Sequence, residues 1–311
     1  MRPSSSELLQ QAKQLWLTCF PQDDPDFVER YFAFKYTRRC HYFRLVDGRI
    51  ASQALYLPFT LRLDGRVVRA GYVSGLCTHP HFRRSGLARE VLAHIHGAAA
   101  NSGVALSLLI PSGEDLRFFY TLPHNGAYAT ISRRRRVEIV PPEEIPKKWN
   151  VQEVSEFGVA HRMLCHSAQQ QLGAVLVSST ADWMFAMDEA RRSGGLAVEV
   201  RRSHRPMAFA LLVPCKDGWL IRSAAAFDEA ALPLVAAWLR KTGREGKLFQ
   251  YAACRSNEPG NGTYMMGKVL NPSKLNGVFG REFSSEPTEA TKQLAAALRQ
   301  RKFFSQNLFD E

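Results

Sequence analysis

Leu8, Ala12, Leu15, Trp16 and Cys19 recur at spacings of three and four, which lines them up on one face of a helix over about 6–19. Ser4 and Glu7 stand in capping-box spacing at its start. The acidic turn "FPQDDPD" follows, and a second helical stretch runs from about Phe27 to Tyr36. From there "HYFRLVDGRIASQALYLPFTLRLDGRVVRAGYVSGLCTHP" predicts successive antiparallel strands, with Asp47-Gly48 and Asp64-Gly65 as hairpin turns. Leu87, Val91, Ile95 and Ala98 share one face of a helix over about 86–100. "VALSLLIP" (104–111) predicts a buried strand, "GEDLRFFYTL" a short helix with Phe118 and Phe119 packed on the core, and "AYATISRRRRVEIV" a last strand.

"PPEEIPKKWN" breaks the pattern with proline and charge and reads as a linker. Beyond it the spacing predicts helices near 155–172 and 180–192, and strands at 196–202, 206–213 and 218–225. A helix near 228–242 and a strand at 247–254 follow. Strands followed by a helix and a strand thus occur twice, a likeness of topology without a readable repeat of sequence. The expected division is a first domain over 1–140, a linker over 141–150, a second domain over 151–285 and a C-terminal tail over 286–311. The tail holds a helical "TEATKQLAAALRQ" and an aromatic ending, "KFFSQNLFDE". The fold class is α/β.

A length of 311 residues suits two domains, and 45% apolar residues can fill two cores. No apolar run approaches the ~20 residues of a membrane-spanning helix, and the N-terminus has no apolar leader segment. The expectation is a soluble, cytoplasmic protein. Cys19, Cys40, Cys77, Cys165, Cys215 and Cys254 are scattered and form no C-x-x-C pair, which favours reduced, mostly buried thiols over disulfides or a zinc site. A formal net charge of +12 suits a polyanionic partner: nucleic acid, an anionic membrane or a phosphate-rich cofactor.

The stretch "GLCTHPHFRRSGLARE" (75–90) narrows that choice. A strand ends near Thr78 and a helix begins near Gly86. The first turn of a helix has amides without partners and the positive end of the macrodipole, so a loop wrapped there forms an anion nest. Gly86 lets an anion approach the backbone, Ala88 is small, and Arg83 and Arg84 add positive charge at the mouth. G-x-x-x-x-G-K-[ST] is absent, and so is G-x-G-x-x-G after a strand, which argues against a P-loop and a dinucleotide fold.

Arg83-x-x-Gly86-x-Ala88, between an apolar strand and an amphipathic helix and with "FFY…GAY" further on, resembles the R/Q-x-x-G-x-G/A loop of the GNAT acetyltransferases. The order of elements over 1–139 resembles a GNAT domain, and the whole chain resembles the tandem, Enhanced-intracellular-survival type. The resemblance implies two GNAT-like domains, each a mixed, mostly antiparallel sheet flanked by helices. It also implies that the backbone of Arg83, Arg84, Ser85, Gly86, Leu87 and Ala88 holds the pyrophosphate of acetyl-coenzyme A, a cosubstrate. A backbone N–H at Leu76, Cys77 or Thr78 would then polarise the thioester carbonyl. The matching junction of the second domain, "IRSAAAFDEAAL", lacks the motif, so one coenzyme site is expected. Members of that type carry a sterol-carrier-like third domain, for which the tail is too short.

The expected activity is direct acetyl transfer to a primary amine, small-molecule or peptide, with no metal and no membrane. By resemblance Tyr120 protonates the departing thiolate. Five residues separate it from Gly126 where relatives have three, with Pro123 among them. Glu114 is a candidate base. The C-terminal carboxylate of Glu311 is a second, on the resemblance alone. Asp23, Asp24, Asp26 and Glu29 border the acceptor pocket of this fold and would attract a cationic amine, although Asp26 equally suits a helix cap. No His/Asp pair supports a nucleophilic Cys77. His79 and His81 lack a third metal ligand, and Arg133–Arg136 alternate in direction along a strand. The competing expectation is a non-catalytic binding protein on a GNAT scaffold, nucleic-acid-associated through its charge.

Overall fold

A computed structural model describes residues 4–63, 65–171, 174–228, 230–253, 263–299 and 303–305. In chain order it runs α1 (Ser5–Cys19), α2 (Pro25–Lys35), β1 (His41–Val46), β2 (Arg49–Leu63), β3 (Arg66–Thr78), α3 (Leu87–Asn101), β4 (Leu106–Leu109), α4 (Glu114–Thr121) and β5 (Ala129–Ile139). It continues with β6 (Trp149–Glu153), α5 (Val159–Gln171), β7 (Ala174–Val177), α6 (Thr180–Arg192), β8 (Leu196–Arg202), β9 (Arg205–Cys215), β10 (Gly218–Ala226), α7 (Ala231–Lys241) and β11 (Lys247–Ala253). It closes with β12 (Thr263–Val269), α8 (Ser273–Phe279), α9 (Pro287–Arg299) and β13 (Phe303–Ser305). The class is α/β with mixed sheets. Two compact units divide the chain: one takes residues 1–61, 66–132 and 263–300, the other 62–65, 133–262 and 301–311.

In the first unit, the capping box forms as the spacing predicts: Ser4 Oγ accepts from Glu7 N–H at 3.2 Å, and Ser4 N–H donates to Glu7 Oε2 at 2.6 Å. α1 then buries Leu8, Ala12, Leu15 and Trp16. β1 and β2 make the hairpin across Asp47-Gly48, Val46 opposite Arg49. β2 is buried continuously from Ile50 to Leu57, the pattern of a strand covered on both faces. β3 runs parallel to β4 only from Ala70 to Tyr72, alongside Leu106 to Leu108. β12 closes the far side of β4 antiparallel, Met266 opposite Leu109 and Val269 opposite Leu106. The core joins Ala54, Tyr56 and Val73 of the sheet to Val91, Leu92, Ile95 and Ala99 of α3. The buried face of α3 is therefore turned from the expected one: Leu92 and Ala99 are inside, while Leu87 and Ala98 are half-buried.

The second unit repeats the plan. β6, β8, β9 and β10 are antiparallel neighbours, and β10 runs parallel to β11, Gly218–Ile221 alongside Lys247–Gln250. Leu234, Val235 and Leu239 of α7 pack on Val198, Ala210 and Ile221. The last strand is supplied crosswise. Arg134–Ile139 of β5, which follows the first unit's α4, pairs antiparallel with β11 of the second unit, Leu248 opposite Ile139. β12, which follows β11, pairs with β4 of the first. Residues 263–300 thus pack with the first unit, whereas the sequence pattern places the end of the second domain at 285. The connection after Ile139 ends at Trp149, which opens β6, so 149–150 are strand and not linker.

Candidate active site

β3 lies between β2 and β4 in the sheet. Its pairing with β4 stops at Tyr72, and β3 continues to Thr78. Beyond that pairing Gly75 takes φ +60°, and a Cβ there would fall 2.0 Å from Cζ3 of Trp16. Glycine is thus required twice, for the left-handed backbone and for the ring of α1 pressed against it. The carbonyls at the strand's end are tied down. Cys77 O accepts from Ser52 Oγ at 2.9 Å, and Thr78 O accepts from both Cys19 Sγ and Arg83 Nε at 3.4 Å.

The loop then turns over a short 3₁₀ segment, Pro80–Phe82, capped by His79. His79 and His81 pack edge to face with ring centroids 5.1 Å apart. Ser85 Oγ donates to Phe82 O at 2.5 Å. Arg84 sits at φ +66° and Gly86 at φ +87°. A left-handed arginine costs on the order of 1 kcal/mol, and such strain persists where a loop is held for a task. Gly86 is the N-cap of α3 and makes no side-chain cap bond. The helical ladder begins with Glu90 N–H donating to Gly86 O at 3.1 Å, so the amides of Leu87, Ala88 and Arg89 precede it. A Cβ on Gly86 would be strained and would meet Arg89 Nη2 at 3.2 Å. Arg89, three residues beyond Gly86 and inside the helix, therefore holds its guanidinium beside the cap. Sequence reasoning missed it, although the i,i+3 spacing from Gly86 is legible. Arg83, by contrast, is drawn back to Thr78 O.

The corresponding helix of the second unit, α7, begins differently: its N-cap is Ala230, which makes no side-chain cap bond. Asp228 Oδ1 accepts from Ala230 N–H at 2.9 Å and Asp228 O from Ala231 N–H at 3.0 Å.

Tyr120 lies on α4 with 7% of its surface exposed, among Val91, Leu92, Leu109 and Met266. Burial and the neighbouring Cys77 sulfur both push its phenol above the ordinary range. The fold thus brings Tyr120 close to the end of β3 and keeps its proton on. Between Tyr120 and Gly126, Pro123–Asn125 form a 3₁₀ turn. Tyr128 N–H donates to Tyr120 O at 3.0 Å, and Lys268 Nζ of β12 holds Gly126 O at 2.5 Å. Phe119 packs partly on this core, but Phe118 is 64% exposed, against expectation, because α4 is short and buries one side only.

The acids separate. Asp23 is half-buried, accepts from Trp16 Nε1 at 2.6 Å, and is raised in pKa by burial. Asp24 caps α2 by accepting from Asp26 N–H at 3.0 Å, and Asp26 lies in the first turn. Glu29 pairs with Lys13, and Glu114, at the start of α4, pairs with Arg117. Glu311 lies outside the described residues. In the Arg133–Arg136 run, Arg134 stacks on Tyr251 at 3.9 Å and Arg136 on Phe249 at 3.7 Å. Among the described residues, no group of three or more His, Cys, Asp or Glu could hold a metal ion, and no helix is long and apolar enough to cross a membrane.

Residues 1–118 match the model of the "Acetyltransferase (GNAT) domain" family. No curated protein sequence matches the chain. Among solved structures, a GCN5-related N-acetyltransferase from Anabaena variabilis is similar at TM-score 0.69 and 14% identity, over 88% of this chain and 73% of that one. Eis1 from Mycobacterium abscessus is similar at TM-score 0.61 and 10% identity, over 87% and 73%. A tandem GNAT protein from the clavulanic acid biosynthesis pathway is similar at TM-score 0.50 and 12% identity, over 88% and 98%. Residues 1–118 are thus similar to GNAT acetyltransferase domains, and the chain shares the fold of tandem GNAT proteins.

Proposed function

We propose that the chain is an acetyl-coenzyme A-dependent N-acetyltransferase that acts on a primary amine, with its one coenzyme site in the first unit. The observation that carries this reading is the open first turn of α3. Its cap is a left-handed glycine, which brings no side chain of its own, and the guanidinium of Arg89 lies beside it. Amides of Leu87, Ala88 and Arg89 would bind the diphosphate, helped by the charges of Arg84 and Arg89. The part of β3 that runs past its pairing with β4, at Leu76–Thr78, would supply the N–H for the thioester oxygen, a preorganised donor where negative charge develops.

The transfer then balances with residues already in place. The amine nitrogen bonds to the acyl carbon and the carbon–sulfur bond breaks. Tyr120, kept protonated by burial, gives its proton to the departing sulfur. Asp23, raised in pKa and fixed by Trp16, is the carboxylate placed to attract the amine and take its proton. Glu29 and Glu114 are engaged in ion pairs instead. The nucleic-acid alternative gains nothing from the arginine run, half of which is stacked internally.

Thiol release from acetyl-coenzyme A over a panel of primary amines tests the reading. At least one amine should be turned over, and Tyr120→Phe should lower kcat by about 10²-fold or more, the usual worth of a positioned acid. Unchanged kcat in Tyr120→Phe would remove the tyrosine from the reaction.

A further inference from the structure

Two thiols meet beside the loop, and acetyl transfer gives neither of them work. Cys19 is the last residue of α1 and Cys77 the penultimate residue of β3. Each thiol is the largest influence on the other's acidity, which makes their side chains neighbours. Cys19 Sγ also lies 3.4 Å from Thr78 O, the carbonyl that Arg83 Nε reaches at the same distance. The ring of Trp16 against Gly75 pins α1 to β3 one turn earlier.

The two thiols are chemically unequal. Cys77 is 6% exposed, and its neighbour Cys19 together with burial pushes it well above the ordinary thiol range. Cys19 is partly exposed, and neighbouring Cys77 with the charge of Arg83 pulls it down to about 7. A fraction of Cys19 is therefore thiolate at neutral pH, and the thiolate is the reactive form.

We propose that Cys19 and Cys77 are an oxidation site for hydrogen peroxide, with Cys19 the attacking thiolate and Cys77 the resolving thiol. Cys19 sulfur attacks one peroxide oxygen; the S–O bond forms, the O–O bond breaks, and hydroxide leaves. Cys19 is oxidised to the sulfenic acid and the peroxide is reduced. Cys77 sulfur then attacks Cys19 sulfur; the S–S bond forms, the S–O bond breaks, and the departing hydroxide takes the Cys77 proton to leave as water. A dithiol reverses the product by exchange. The proposal stands apart from acetyl transfer, because its product is read by mass whether or not the chain moves an acetyl group.

The full chain is exposed to hydrogen peroxide, blocked with iodoacetamide and digested for peptide mass analysis. The expected product is a cross-linked Cys19–Cys77 peptide pair, lighter by two hydrogen atoms and cleaved by dithiothreitol. Cys19→Ser should abolish the cross-link. Cys77→Ala should stop at a dimedone-trapped sulfenic acid on Cys19. Because Cys77→Ala opens space in a buried strand, Cys77→Ser and the melting curves of both variants accompany it. Cys19 passing to sulfinic acid in the unaltered chain without joining Cys77, or joining another cysteine, would overturn the proposal.

Discussion

Two histidines show how far burial alone sets a residue's chemistry. His41 is 7% exposed, with Nε2 3.0 Å from Gln53 Oε1, and burial lowers it to about 4. His96, with Nε2 2.8 Å from Tyr128 Oη, is lowered to about 3 by burial and then by the Lys268 charge. Their folded pKa values lie below the unfolded value of about 6.5. The unfolded chain therefore binds more protons, and the stability these residues contribute is present above about pH 6.5. It is lost as pH falls toward 4 and 3, at up to about 1.4 kcal/mol per pH unit for each histidine. Urea unfolding between pH 7 and 4.5 should show this loss, and His96→Gln, which keeps a partner for Tyr128, should flatten it. An identical slope in the variant would contradict the assignment. At this scale the sequence is legible where a feature is local: Gly86 caps α3 and Tyr120 lies on the short helix that the spacing predicts. Arg89, Gly75 and Lys268 escape such reading, since each owes its role to a neighbour that only the fold supplies.

Helix beginnings repeat the lesson at the scale of elements. α1 and α6 satisfy their own first turns. Ser179 Oγ accepts from Asp182 N–H at 3.1 Å, and Asp182 Oδ2 accepts from Ser179 N–H at 2.8 Å. α7 and α3 make no side-chain cap bond, and of the two only α3 has a glycine at its cap. Ser179→Ala should lower unfolding free energy by about 1 kcal/mol in urea and leave acetyl-coenzyme A binding unchanged. A variant as stable as the parent would show that this cap contributes nothing. The spacing predicts these starts well because a cap and its helix are neighbours in sequence. It misplaces the buried face of α3, since Leu87, Val91, Leu92, Ile95, Ala98 and Ala99 cover more than one stripe and the sheet selects among them. It also misses β7 and β12, four and seven residues long, whose partners are remote in sequence.

For the whole molecule the crosswise strands matter most. A chain cut after about residue 145 keeps the loop and Tyr120 but loses β12, which pairs with β4, and α9, which buries Ala290, Leu294 and Leu298. An unpaired edge and an uncovered core make such a fragment unable to fold alone. It should show no cooperative melt, and a sharp melt with native-like circular dichroism would contradict this. The domain plan was legible as two like halves but not as an exchange, since pairing between distant strands leaves no mark in local spacing. The central claim, that the open turn of α3 binds a diphosphate, is tested most directly by calorimetric titration with acetyl-coenzyme A. The parent should bind at one site per chain, and Gly86→Glu, which places a side chain and a negative charge in that turn, should lose binding while remaining folded. Equal affinity in parent and variant, or no binding by a folded parent, would contradict it.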